Sequence, residues 1–370
     1  MAPGPKLTKA TLASGRAKRF EWRRPNRKTA FMNLKQLSAH LGLSQTTVSR
    51  ALNGFPEVGA ATRLRVAEAA KKHDYRPNPS ARKLATGRAE AVGFIFPTDR
   101  NLLVDPHFVE FLAGLGEGLK AHEMDILLSP APSADEASAY RRAVGGRRVD
   151  GLIVSGPFLD DARIRLLEQL GANYVVHGRS EMGIAHAWLD IDNIQAFRQA
   201  TSHLLDLGHR RIALVNGREV QTFASHRKRG YLAALEQRGV RFDPALVTSD
   251  EMTDKNGFGA TARLLDAGDP PTAIICSSML SVLGCMRAIR AAGLAIGADV
   301  SLIAHDDGLP FINPAAMMPA LTTTRSPIRD AGRCIADLIV RRIAGEPVEA
   351  LQELWPVELV VRGSTRPPPE

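Results

Sequence analysis

Near the start of this chain, two short helical patterns are separated by a single glycine. In LKQLSAHL, the residues Leu34, Leu37 and Leu41 recur at i, i+3 and i+7, which puts them on one face of a helix. Gly42 supplies a turn that a side chain would obstruct. Ser44 can then cap a second helix within LSQTTVSRALNG, residues 43–54. Two helices joined this tightly predict a helix-turn-helix.

The second helix has one apolar face and one polar face. Val48, Ala51 and Leu52 face inward at helical spacing. The opposite stripe holds side chains that can hydrogen-bond base edges in a major groove, namely Gln45, Thr46, Ser49, Arg50 and Asn53. An ordinary solvated helix face has the same pattern, so the stripe alone does not decide between the two interpretations.

Two more helical patterns follow. ATRLRVAEAAKKHDY predicts a third helix whose buried side is Leu64, Val66, Ala69 and Ala70. In RPNPSARKLATGR, residues 76–88, Asn78 can cap a helix of two turns, which is too short to persist unless it is packed or bound. Leu84, beside two basic residues, would suit a minor groove that a leucine wedges open.

The segment from Leu34 to Gly87 resembles the headpiece of the LacI/GalR family of bacterial transcriptional regulators. VSRALNG, the TR…V…AA…Y-RPN stretch and a hinge ending in Leu84 carry the resemblance. It implies a homodimer that binds a pseudo-palindromic operator in double-stranded DNA. The positions that match the family's major-groove contacts are Ser44, Gln45, Thr46, Ser49 and Arg50. Those that match its hinge contacts are Asn78, Ala81 and Leu84.

Charge is divided unevenly along the chain. Residues 1–90 hold nineteen Lys and Arg against five Asp and Glu, whereas residues 91–370 hold 29 against 34. A basic front part suits phosphate binding by one domain, with an affinity that falls steeply as salt rises. Residues 1–31 lack apolar periodicity, which predicts disorder. They are either a basic arm that adds nonspecific DNA affinity or a stretch upstream of a translation start at Met32.

From Ala91 onward, short apolar runs alternate with helical patterns. The runs are AVGFIFP, DILLS, DGLIVSG, NYVVHG, RRIALVNG, TAIICSS and VSLIAHDD. Their alternation with helices indicates βαβ units, hence an α/β body of parallel sheets with helices on both faces. The body is about 280 residues long, which exceeds one core and favours two lobes. The family resemblance implies a periplasmic-binding-protein-like core with three chain crossovers, near residues 190, 326 and 354.

These patterns predict five parts. They are a disordered basic extension (1–31), a helix-turn-helix DNA-binding domain (32–77), a hinge helix and linker (78–90), a core N-lobe (91–190 with 327–353) and a core C-lobe (191–326 with 354–366).

Open α/β sheets bind ligands at the carboxyl ends of their strands, and the resemblance puts an effector site there. Arg227, in HRKRGY, matches the family's R-x-x-G-Y signal, and its donors suit vicinal hydroxyls or a carboxylate. Asp306, in VSLIAHDD, matches the ligand-binding aspartate. Phe108 matches the aromatic of an N-P-x-F pattern and could stack on a sugar, although Asp105 replaces the asparagine. Alternatively, Arg227 could pair with an acid, Asp306 could cap a turn, and Phe108 could be core.

Two departures from the family alter the expected pocket. Ser278 and Met279 stand where many members have Asn-Asp, and His177, Gly178 and Arg179 stand where many have Asp-Arg. Ser278 and His177 can still hydrogen-bond hydroxyls, although a lone histidine is often structural. Arg227, Asp306 and Ser278 beside Phe108 resemble a carbohydrate site, which favours a sugar effector; a purine or a sugar phosphate is the alternative. The overall pattern, including the segment VVHGRS, looks most like regulators of α-glucoside use.

Other chemistries lack a motif in this sequence. Gly114 to Gly118 do not form G-x-G-x-x-G, and neither a P-loop nor G-x-S-x-G occurs. Three cysteines and ten histidines lack metal or redox spacing, so we expect no metal, no cofactor and no enzyme. Without a signal peptide or an apolar stretch near twenty residues, a cytoplasmic protein without a membrane span is expected.

The sequence therefore predicts a ligand-responsive repressor of carbohydrate utilisation genes, whose operator binding a small sugar alters. The competing interpretation is a cytoplasmic sugar-binding protein or an enzyme on the same α/β core. That interpretation leaves the headpiece unexplained.

Overall fold

The computed structural model describes residues 32–75, 87–99 and 102–369. The chain divides into two compact units, Met1–Thr86 and Gly87–Glu370. The predicted hinge residues Asn78, Ala81 and Leu84 and the basic extension 1–31 lie outside the described residues. We call the two units the headpiece and the body.

Within residues 32–75, the headpiece contains three helices, α1 (Leu34–Leu41), α2 (Gln45–Leu52) and α3 (Ala60–Lys72). Asn33 and Gln36 close a reciprocal capping box at the start of α1, and Gly42 ends it with a left-handed φ of 62°. Leu37, Val48 and Val66 are fully buried at the centre. The sequence thus places two tightly joined helices on one small core, as the leucine spacing predicts.

One headpiece prediction is wrong. The helical pattern puts Leu64 on the buried side of α3, but this side chain is 63% exposed. At 100° per residue it lies on the side of α3 opposite Val66, and Val66 and Ala70 supply the buried contacts instead.

The described part of the body contains two six-stranded sheets. The N-lobe sheet has the order β11-β5-β4-β3-β1-β2, and the C-lobe sheet has the order β12-β10-β9-β8-β6-β7. The N-lobe strands are β1 (Ala91–Pro97), β2 (Asp125–Ala131), β3 (Gly151–Ser155), β4 (Tyr174–His177), β5 (Ala187–Ile191) and β11 (Gln352–Trp355). The C-lobe strands are β6 (Ile212–Asn216), β7 (Val247–Ser249), β8 (Ala273–Cys276), β9 (Ser301–Asp306), β10 (Thr322–Arg325) and β12 (Glu358–Val360).

All strand pairs in the N-lobe are parallel, and in the C-lobe only the edge strand β12 is antiparallel, to β10. Several inner strands are buried along their whole length; β6 and β9, for example, are buried at every position, including their polar residues. Continuous burial is the expected signature of strands covered by helices on both faces. The two-lobed α/β architecture is therefore confirmed.

Eight helices cover the sheets in the described ranges 87–99 and 102–369. They are α4 (Pro106–Lys120), α5 (Glu136–Gly145), α6 (Ala162–Gln169), α7 (Asn193–Asp206), α8 (Thr222–Gln237), α9 (Asp254–Leu265), α10 (Met279–Ala291) and α11 (Ile328–Ile343). The chain passes between lobes after β5, after β10 and between β11 and β12. None of the helices in the described ranges has the length and hydropathy that a membrane crossing requires.

The helices α4 and α11 approach closely where glycines replace side chains. A Cβ atom on Gly114 would lie 1.9 Å from the carbonyl oxygen of Arg329, and one on Gly332 would lie 2.3 Å from that of Phe111. Gly114 therefore serves the packing of α4 on α11.

Candidate DNA-binding surface and effector cleft

The polar face of α2 is open to solvent. Gln45, Thr46 and Arg50 are exposed, and Ser49 and Asn53 are half-buried. These five side chains line one shallow groove together with Leu34 and Phe55. The predicted base-reading residues therefore share one surface.

Two of the predicted DNA contacts also stabilise α2. Ser44 caps the helix, because its hydroxyl accepts a hydrogen bond from the Thr47 amide at 3.0 Å. The Asn53 amide group donates to the Ser49 carbonyl at 2.9 Å. Arg50 lies 3.6 Å from Glu57 in an exposed ion pair. Such a pair is worth only about 0–1 kcal/mol, so DNA can displace it at little cost.

In the body, residues that follow the carboxyl ends of strands in both sheets approach one another, as His107 and Asp307 do, and we call this region the cleft. Arg227 lies near it, within electrostatic reach of Asp307 and Asp190. This buried arginine of α8 donates from Nε to the Asn193 Oδ1 at 2.7 Å and from Nη1 to the Ser277 carbonyl at 2.5 Å. Its guanidinium also lies 5.0 Å from the ring centre of Phe197 and 4.9 Å from that of Phe223. Among the described residues Nη2 has no acceptor, so it can donate to a ligand. Burial lowers the pKa of Arg227 to about 10, which leaves it charged at neutral pH.

Asp306 ends β9, and Asp307 follows it, on the C-lobe side of the cleft. Asp306 is buried, and its Oδ1 accepts from the Gly308 amide at 2.9 Å. Asp307 Oδ1 lies 3.4 Å from His305 Nε2 and 3.6 Å from His107 Nε2 of the N-lobe. Burial alone would raise the pKa of Asp307, but the two histidines hold it well below its usual range. Neither Asp307 nor His107 is among the residues predicted from the sequence, although both adjoin predicted site residues.

His177 and Phe108 are on the N-lobe side. His177, the last residue of β4, is hydrogen-bonded to the Ser155 hydroxyl at 3.2 Å and stacks on Phe111 with ring centres 4.6 Å apart. Burial lowers its pKa to about 3, so it is a neutral imidazole. Phe108 is only 6% exposed and packs edge-on against Phe94, which places it in the N-lobe core.

Ser278 begins α10. Its hydroxyl accepts from the Ser281 amide at 3.1 Å and lies 3.0 Å from the Ser281 hydroxyl, so it is a helix cap. The residue before it, Ser277, supplies the carbonyl that Arg227 contacts. His177 and Asp306 therefore end strands and Ser278 caps a helix, whereas Arg227 lies in the second turn of α8 and Phe108 lies in the core.

A second polar cluster lies near the first crossover. Arg179 Nε is 3.1 Å from Asp190 Oδ2, and His226 Nδ1 is 3.9 Å from the same oxygen. Burial raises the pKa of Asp190 to about 6 against the opposing effect of Arg179. Asp190 Oδ1 lies 3.4 Å from the side-chain nitrogen of Asn193, which links this cluster to Arg227. In the sequence, the acidic pattern LDIDN is the signal that could have pointed to this cluster.

The lobes contact each other across the cleft. The Pro157 carbonyl accepts from the Thr222 amide at 3.0 Å and from its hydroxyl at 3.2 Å. Glu181 accepts from His226 at 2.8 Å and from Arg229 at 2.7 Å. Within the described residues, no group of three or more His, Cys, Asp or Glu side chains could hold a metal ion.

Two family models match the chain. The model for bacterial regulatory proteins of the lacI family matches residues 34–78, and that for a periplasmic binding protein-like domain matches residues 201–365. The HTH-type transcriptional regulator AglR of Rhizobium meliloti (strain 1021) is 47% identical over 92% of this chain and 96% of its own length. The chain belongs to the lacI family.

Solved structures agree with this assignment. The transcriptional regulator CelR in complex with cellobiose is 30% identical, with a TM-score of 0.68 over 90% of this chain and 99% of that one. The lac repressor dimer bound to operator and the anti-inducer ONPF is 26% identical, with a TM-score of 0.76 over 90% and 99%. This lacI-family protein is therefore a transcriptional regulator with a helix-turn-helix headpiece.

Proposed function

We propose that this lacI-family regulator is a dimeric repressor that binds a pseudo-palindromic operator and changes its operator affinity when a small sugar enters the cleft. The observation that carries this proposal is the pairing of an exposed base-reading face on α2 with the cleft near Arg227. Its proposed activity is binding, and its proposed location is the cytoplasm, where operator DNA lies. Its three cysteines are free thiols, as expected in a reducing compartment.

The proposed DNA contacts are Ser44, Gln45, Thr46, Ser49, Arg50 and Asn53, with Asn78, Ala81 and Leu84 at the hinge. Arg50 suits guanine, and Gln45 and Asn53 suit adenine, because their forks of donors and acceptors match those base edges. The lac repressor dimer on its operator supports both the DNA partner and the homodimer.

The proposed effector is a carbohydrate, and the α-glucoside class is our first choice. The positively charged Arg227 can donate hydrogen bonds to vicinal hydroxyls, and the negatively charged Asp306 can accept hydrogen bonds from them. The neutral His177 and Ser278 can add hydrogen bonds that involve no charge. Phe108 completes the five proposed effector residues, from within the N-lobe core. The sugar in the CelR–cellobiose complex supports this class of ligand.

Two measurements test the proposal. Fluorescence anisotropy with genomic fragments and scrambled competitor should identify a discrete palindrome that the purified protein prefers. A thermal-shift screen of mono- and disaccharides should give a hit that also changes operator affinity, because coupling between two sites is reciprocal. Equal affinity for all duplexes, with and without every sugar, would refute it.

A further inference from the structure

The first residues of the body are held by one carboxylate. The amides of Ala89 and Glu90 donate to the two oxygens of Asp150, at 2.7 Å to Oδ1 and 2.6 Å to Oδ2. The Glu90 carbonyl in turn accepts from the Asp125 amide at 2.9 Å. The chain that leads to the headpiece therefore leaves the body from a defined position.

This arrangement needs a carboxylate. Glu90 has a φ of 53°, a left-handed conformation that a non-glycine residue adopts only when its surroundings hold it there. Two successive amides then point to one acceptor, and a charged group with two oxygens satisfies both with strong hydrogen bonds. Asp150 is itself fixed, because its amide donates to the Ala91 carbonyl at 2.8 Å and its carbonyl accepts from Asn173 at 3.3 Å.

Strand β3 connects this carboxylate to the cleft. Asp150 immediately precedes β3, and the strand ends at Ser155, which is hydrogen-bonded to His177. Two residues later, the Pro157 carbonyl receives both hydrogen bonds of Thr222 from the C-lobe. Five residues of extended chain span about 16 Å. A short, buried central strand thus has the lobe contact at one end and Asp150 at the other.

We propose that Asp150 is a positioning residue that fixes residues 89 and 90, where the linker joins the body, and that β3 ties this position to the state of the cleft. When the residues at which the linker joins the body are already ordered, operator binding costs less conformational entropy. The proposal rests on the proposed operator binding, because operator affinity is one of its measurements. It concerns residues 87–90 and the body, and the chain then continues through residues 76–86 to the headpiece.

The test uses the full chain and the variant Asp150→Asn. Asparagine keeps the shape but has one acceptor oxygen, and its amide group would face a backbone donor. The matched control is Asp299→Asn in the C-lobe, because Asp299 Oδ2 accepts from the Ala295 amide at 2.7 Å far along the chain from the linker. Amide hydrogen exchange at residues 89 and 90, thermal unfolding, and binding to an operator duplex and a scrambled duplex are measured for all three proteins.

We expect Asp150→Asn to exchange the amides of Ala89 and Glu90 roughly tenfold faster and to bind operator roughly tenfold more weakly, the size of one lost charge-assisted hydrogen bond. Binding to the scrambled duplex and the melting temperature should match those of Asp299→Asn. Faster exchange with unchanged operator affinity would overturn the positioning role. So would an equal loss on both duplexes or a larger fall in melting temperature than the control shows, because a merely structural residue behaves that way.

If Asp150→Asn fails to fold, Asp150→Ser replaces it, since a hydroxyl can still accept one of the two hydrogen bonds. The hydrogen exchange measurement is made on the protein without DNA. A wild-type protein that protects residues 89 and 90 but selects no operator would therefore count against the proposed function and not against the contact itself.

Discussion

At the level of single residues, the most specific proposals concern Arg50 and Arg227, whose surroundings differ. Arg50 is half exposed beside Glu57, whereas Arg227 is buried and has three protein contacts apart from its carbonyl acceptor. An exposed arginine can be removed at small cost to folding, but a buried one leaves partners unpaired. Substitution of Arg50 should therefore affect binding alone, whereas substitution of Arg227 should affect both binding and packing.

Arg50→Ala should weaken binding to the operator by about 1–3 kcal/mol, the value of a bidentate base contact. Binding to a scrambled duplex should change much less, because phosphate contacts carry most of it. Fluorescence anisotropy on both duplexes measures the difference. The exposed body residue Arg141, changed to Ala, is the control. Equal losses on the two duplexes would mean that Arg50 contacts phosphate.

Arg227→Lys should weaken binding of the sugar found in the thermal-shift screen by at least roughly tenfold, because an ammonium cannot reproduce the planar fork that reaches Asn193 and Ser277. Operator affinity without sugar should stay near that of the wild type. Isothermal titration calorimetry measures the sugar, and the exposed Arg263→Lys is the matched control. Unchanged sugar affinity would remove Arg227 from the proposed site.

The sequence predicted residue types at the site better than their roles. The positions of Arg227 and Asp306 near the cleft were predictable, because the family's motifs show where strands end. Helix capping by Ser278 and the core position of Phe108 follow from how α10 and α4 meet their neighbours, which one sequence does not specify. Asp307 and His107 come from different lobes, so their 3.6 Å approach has no local sequence signal at all.

At the level of elements, the strongly apolar strands were predictable and the short polar ones were not. The seven apolar runs correspond to β1, β2, β3, β4, β6, β8 and β9. The strands β10, β11 and β12 read TTTR, QELW and ELV, and they are strands because neighbouring strands offer hydrogen-bond partners. Three or four residues carry too little periodicity to reveal such tertiary pairing.

The packing of α4 on α11 gives a matched prediction. Gly114→Ala should lower the free energy of unfolding by about 1–3 kcal/mol or more, because its Cβ would meet the Arg329 carbonyl at 1.9 Å. Gly116→Ala, two residues along the same helix, meets its nearest neighbour only at 3.8 Å and should stabilise by about 0.5–1 kcal/mol. Urea unfolding measures both. If both substitutions destabilised equally, close packing of the two helices would not be the reason.

At the level of the whole molecule, buried histidines should make the body sensitive to acid. Burial lowers the pKa of His177, His186, His203, His209, His226 and His305 below the ordinary 6.5. A group whose pKa is lower in the folded state binds its proton mainly on unfolding. Stability is therefore complete above pH 6.5 and falls as the pH drops below it. Asp190, with its pKa raised to about 6, acts in the opposite direction but is a single group.

The measurement is urea unfolding between pH 7.5 and pH 5. His177→Gln should reduce the slope of unfolding free energy below pH 6.5 by about 1.4 kcal/mol per pH unit, the contribution of one proton. His122→Gln, on the surface, should leave the slope unchanged. An identical slope in wild type and His177→Gln would show that His177 takes up no proton on unfolding.

The late position of β11 and β12 in the chain also bears on biosynthesis. Both sheets receive an edge strand from residues 352–360. Helix α11 of the N-lobe is synthesised only after the C-lobe elements from α7 to β10. During translation the headpiece can fold while most of the body has not yet been made, but neither lobe can be completed until the final strands leave the ribosome. A nascent or truncated chain would thus possess a finished DNA reader with no means of sensing a metabolite.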